Sequence, residues 1–132
     1  MCGFSDYWEN EVLDHLFGKG SYAPPPAIYV ALSTADPQDD GTGAAEPAGG
    51  SYARILTSSA DWTAASQGCL SNADTIDFGE ASASWGAITH FALYDADTGG
   101  HLLAHGTLAQ AQPVAAGDLV RFAPGDLQVT LN

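Results

Sequence analysis

Phe91-Ala92-Leu93-Tyr94, Asp95-Ala96-Asp97-Thr98-Gly99-Gly100, His101-Leu102-Leu103-Ala104: two apolar runs flank a loop of turn-forming residues. That pattern reads as a β-hairpin. Pairing Tyr94 with His101 puts Thr89, Phe91, Leu93, Leu102, Ala104 and Leu108 on one face, which is apolar enough to be core. The other face collects His90, Tyr94, His101, Leu103, His105 and Thr107, the mixture expected of a wet or partner-facing surface. A slip by one residue would exchange the two faces, so the alternation itself favours this register.

Similar runs lie on both sides of the hairpin. Ala27 to Ser33 is β-branched and aromatic with few breakers; Tyr52 to Thr57, Thr75 to Phe78, Leu119 to Ala123 and Leu127 to Leu131 read the same way. With Ile88 to Tyr94 and His101 to Leu108, these give about seven short strands separated by Gly, Asp, Pro and Ser clusters. The predicted fold is mainly β, an antiparallel sandwich over about residues 27–132.

Only the first segment has helical spacing. Phe4, Trp8, Val12 and Leu16 recur every four residues, and Leu13 and Phe17 widen the stripe. Asp6, with Glu9 three positions on, fits a helix start. Gly18 and Gly20 supply a stop, so one helix is expected over about residues 5–18. It should dock by Phe4, Trp8, Val12 and Leu16, either on the sandwich or on a neighbouring subunit. With 132 residues, no internal repeat and no dividing linker, a single domain over 1–132 is expected.

Charge narrows the function. Sixteen Asp and Glu stand against Lys19, Arg54 and Arg121, a net charge of −13. Three scattered cations cannot supply the phosphate contacts that nucleic-acid binding draws on, nor hold an anionic membrane surface. No apolar run approaches the ~20 residues that span a bilayer. The acidic start lacks the basic and apolar regions of a signal peptide, so folding in the cytoplasm where the chain is made is expected. Cys2 and Cys69 do not make a disulfide framework and read as two free thiols.

Candidate sites carry competing readings. Asp36, Asp39 and Asp40, in the acidic stretch that ends at Glu46, have oxygen ligands suited to calcium. Their spacing does not match the 12-residue calcium loop, and Asp and Gly are also what solvated turns are made of. In the hairpin register His90 faces His105, either as part of an interface that includes Tyr94 or as a metal-binding pair without further ligands. Trp62 and Trp85 either plug the ends of the sandwich or present aromatic surface. Trp62 and Tyr22 are the candidates for stacking on a host glycan. No G-x-S-x-G, H-E-x-x-H, C-x-x-C or P-loop pattern occurs, so no catalytic residue is assigned and no enzyme is expected.

A resemblance adds to this. Phe4-Ser5-Asp6-Tyr7, Asp14-His15-Leu16-Phe17-Gly18 and Ile28 to Pro37 with Asp39-Asp40-Gly41 resemble small tail-fibre-like proteins of tailed bacteriophages and prophages. Gly50-Ser51-Tyr52-Ala53-Arg54, Ser84-Trp85-Gly86, Thr89 to Asp95 and Gly117 to Phe122 continue it in order over nearly the whole chain. The resemblance implies a β-rich structural protein of the virion, a homo-oligomer bound to other tail or capsid proteins. A tail-fibre or spike component leads; a capsid decoration or vertex protein at the base of a head spike is the alternative. From another class, a carbohydrate-binding module is the second alternative. Salt or calcium should strengthen self-association by relieving repulsion between acidic subunits, with Asp36 to Glu46 as the place for calcium.

Overall fold

The computed structural model describes residues 2–131. Strand β1 (Cys2–Phe4) leads into helix α1 (Asp6–Leu16). There follow β2 (Ile28–Ser33), β3 (Ile55–Thr57), β4 (Cys69–Ser71), β5 (Ile76–Glu80), β6 (Gly86–Tyr94), β7 (Leu102–Val114), β8 (Leu119–Phe122) and β9 (Gln128–Thr130). All strand pairings are antiparallel. The fold is mainly β with one helix. Each of the seven strands expected from the sequence is present, and β1 and β4 are additional.

Five strands form one sheet in the order β1-β7-β6-β2-β3, while β4–β9 and β5–β8 are separate two-stranded ribbons. The core lies between these layers in a sandwich-like arrangement. It joins Val30, Leu32, Phe91 and Leu93 of the sheet to Ile76, Phe78, Val120 and Phe122 of one ribbon and Val129 of the other. Each residue alternates with one on the opposite sheet face, which is the period of a strand buried on one side.

The hairpin register differs from the expected one. Leu93 pairs with Ala104, and a bulge then sets Tyr94 opposite Leu102 rather than His101. The bulge absorbs Leu103, which is fully buried in the core instead of lying on the wet face. Leu102 in turn crosses to the opposite face and joins Ala31, Ala92 and Tyr94 in a second buried cluster. Phe91, Leu93 and Ala104 keep the predicted core side. A bulge re-aims side chains without any change of composition, so alternation alone could not place it.

Helix α1 starts one residue earlier than its acidic signal. The cap is Ser5, whose hydroxyl accepts the Trp8 N–H at 3.3 Å and donates to the Leu102 carbonyl. Asp6 is the first helical residue, where its charge still suits the helix dipole. The stop at Gly18 is as expected: its φ of +73° lets the Lys19 N–H reach back to the Asp14 carbonyl.

Candidate functional site

Helix α1 has two unlike sides. Its inner side is held by loops: Tyr7 stacks on His101, just before β7, at 4.0 Å, and the Trp8 indole N–H donates to the Tyr22 hydroxyl, between α1 and β2, at 2.8 Å. Phe4 and Trp8 pack against the protein's own core, and Val12 is half-buried. The outer side leaves Leu13, Leu16 and Phe17 55, 71 and 75 % exposed. Of the four apolar helix residues proposed as an interface, Leu16 alone is largely in solvent.

The back face of the sheet is covered by the acidic loop. Thr34 and Ala45 close the loop through a backbone hydrogen bond, and buried Ser33 accepts the Ala45 N–H. Pro37 is fully buried, while the carboxylates of Asp36 and Asp39 stay mostly exposed. The stretch that composition alone offered as a solvated turn is therefore a lid over Leu102 and His105. Correspondingly, Tyr94 is buried rather than wet.

This lid also organises the three aspartates. Asp36 accepts the Gln38 N–H, Asp40 accepts both the Thr42 N–H and its hydroxyl, and Asp39 lies 2.9 Å from His105 Nε2. The Thr42 hydrogen bonds hold the Asp40 carboxyl below the usual carboxylate range. Among the described residues no three His, Cys, Asp or Glu side chains converge as a metal-ligand set. The Asp39 carbonyl accepts the Asp6 N–H, so the same loop residue ties β7 to the start of α1.

His90 and His105 are not opposite each other. His90 pairs with Thr107 and His105 with Ala92, which leaves the imidazoles on one face and a rung apart. His105 sits between Asp39 and Asp36, although 3.8 Å from its Nδ1 to Asp36 is too long for a hydrogen bond. Burial holds His90 below the ordinary histidine value; Asp36 opposes that shift and His105 adds to it.

A half-buried ion pair holds the other end of the lid. Arg54, 7 % exposed at its side chain, meets both Glu46 oxygens at 2.6 and 3.1 Å. It also donates to the carbonyls of Ala96 and Gly99 in the hairpin turn, at 2.7 and 2.9 Å. Tyr52 donates to Glu46 and accepts the Leu32 N–H. Burial opposes ionisation of Glu46, yet the hydrogen bonds from Arg54 and Tyr52 outweigh it and hold the carboxyl below its ordinary value. Sequence reasoning gave Arg54 and Tyr52 no role; an isolated cation within an apolar run was the available signal.

The aromatic candidates have structural partners. Trp62 donates its indole N–H to Thr57 at 2.9 Å and packs against the core, while Tyr22 holds Trp8. Trp85 is buried and donates to the Gly50 carbonyl at 2.8 Å, so of its two readings the packing one holds. Cys69 is a free thiol; the Cys2 side chain lies outside the described residues. Among the described residues no helix is long and apolar enough to cross a membrane.

The segments that carried the resemblance thus supply the fasteners of the fold: Ser5 caps the helix, Gly50 receives Trp85, and Arg54 ties the loop to the hairpin. Comparison with curated proteins brought no match. A family model described as Podophage GP4 fiber I protein gp80 matches residues 3–130, from β1 through β9. The chain belongs to this family of phage fibre proteins.

Proposed function

We propose that the chain is a structural component of a tailed-phage or phage-like particle, built in several copies into a tail fibre or spike and attached to other virion proteins. The observation that carries this is family membership across residues 3–130. The structure is consistent with a passive, load-holding part. Its most elaborate polar network, Glu46–Tyr52–Arg54, is spent on tying loops together rather than on a cleft. The net charge of −13 keeps such a subunit away from packaged nucleic acid.

Glycan recognition draws no support from Trp62 and Tyr22, whose polar atoms are engaged within the chain. The test is immunogold labelling of purified particles with antibody to the folded chain. Label at the tail or its fibres supports the proposal. Label confined to capsid vertices moves the protein to the head, and no label on particles overturns a structural role.

A further inference from the structure

We propose that His105 is a proton-operated clasp for the acidic lid: a second proton on its imidazole draws Asp36 inward and fastens the loop to β7. This goes beyond the structural role above and is independent of where the chain sits on a particle.

The imidazole lies between two acceptors. Its Nε2 is 2.9 Å from an Asp39 oxygen, and its Nδ1 is 3.8 Å from an Asp36 oxygen. A neutral imidazole has one N–H to give. At 2.9 Å that N–H sits on Nε2 and goes to Asp39, which leaves Nδ1 as a bare lone pair facing a carboxylate. Two acceptors cannot bond. This accounts for both the 3.8 Å gap and the state of Nδ1, the one buried side-chain polar atom without a hydrogen-bond partner among the described residues.

A proton on Nδ1 reverses the sense. The ring then donates at both nitrogens, and a charge-assisted bond of about 2.8 Å is reached by moving the Asp36 carboxylate about 1 Å. The Asp36 side chain is 61 % exposed and has room to move, whereas that of His105, 13 % exposed, is held in place.

The surrounding charges favour the proton. Asp36 and Asp39 approach the ring from the lid, and Glu9 of α1 lines the same cavity, beside the neutral Thr107 and Thr130. From β6, His90 lies one rung away, its Nδ1 2.8 Å from the Thr89 hydroxyl. Burial holds His90 below the ordinary histidine value; Asp36 opposes this, while His105 and the amino terminus add to it. Of the two imidazoles, His105 therefore takes the proton. A metal ion is the other cation such a gap could take, but among the described residues no set of three His, Cys, Asp or Glu side chains converges on one.

The clasp also reaches α1, because Asp39 accepts the Asp6 N–H at its carbonyl and faces His105 with its carboxylate. Its contribution is present on the acid side of the histidine range and is lost as pH rises through that range.

The experiment is amide hydrogen exchange on the full chain at about pH 5.5 and about pH 8, corrected for intrinsic rates, with EDTA in every buffer. The reporters are the Gly43 amide, bonded to the Pro37 carbonyl within the lid, and the Asp6 amide, bonded to Asp39. Amides of β6 serve as the reference for global unfolding. Protection of the two reporters relative to β6 should be about threefold to fivefold higher at the lower pH, the worth of a partly exposed ion pair. Asp36→Asn keeps an oxygen for the Gln38 N–H and removes only the charge, so it should bring that ratio to about one. Ring-nitrogen NMR should show Nδ1 of His105 bare at the higher pH and protonated at the lower. Equal relative protection at the two pH values overturns the clasp, as does a ratio unchanged in Asp36→Asn. A proton resident on Nδ1 at the higher pH overturns it too.

Discussion

The Arg54 guanidinium carbon sits 3.8 Å from the centroid of the Tyr94 ring, while its nitrogens hold Glu46 and the carbonyls of Ala96 and Gly99. One cation thus joins the lid, the central hairpin and its turn. A planar, forked donor is needed for this, since it must stack and reach several acceptors together.

Arg54→Met should cost about 3 kcal/mol, because it leaves the Glu46 carboxylate half-buried without its partner. Arg54→Lys should recover little of that, as an ammonium cannot stack on Tyr94 and serve the same four oxygens. Urea denaturation followed by tryptophan fluorescence measures both. Equal midpoints for wild type and Arg54→Met would remove the network from the account of stability.

Acid should weaken the fold through the same pair. Because the Glu46 carboxyl titrates below its ordinary 4.5 in the folded chain, its contribution is full above that pH and is lost as pH falls through the folded value. Asp95 acts in the same direction: burial raises its carboxyl, but the His101 hydrogen bonds outweigh that and lower it. Stability plotted against pH should fall below about pH 4.5 and fall less steeply in Glu46→Gln. A Glu46→Gln curve parallel to wild type would contradict the assignment.

Gly50 adopts a φ of +63°, and a Cβ there would stand 2.8 Å from Trp85 Nε1. Gly50→Ala therefore combines left-handed backbone strain with the loss of the indole hydrogen bond, at least about 2 kcal/mol together. The Trp85 indole proton resonance should move, and the unfolding midpoint should drop. Retention of both would show that the site yields without cost.

Ser5→Ala removes the helix cap and leaves the Leu102 carbonyl without its hydroxyl donor. About 2 kcal/mol is expected, with faster hydrogen exchange at the Trp8 amide than at amides of β6. Uniform loss of protection across the chain would place Ser5 in global folding rather than in the docking of α1.

Most of the strand pattern was legible because each run is a local signal of four or more residues. The three-residue strands β1 and β4 carry no periodicity to read and exist through pairing with β7 and β9. The cap was misplaced by one residue because Ser5 and Asp6 are both good caps, and burial against Leu102 chose between them. The lid escaped notice because its composition suits a free turn. What makes it a lid is Ser33, Pro37 and Arg54 acting across the fold, and Arg54 meets Ala96 forty-two residues away. The His90–His105 pairing failed with the register.

The most direct test of a role as a repeated fibre subunit is quantitative mass spectrometry of purified particles, with the major capsid protein as the internal standard. The account predicts several copies of this chain per particle, in a fixed ratio that survives repeated purification. A chain abundant in the lysate yet absent from purified particles would contradict it.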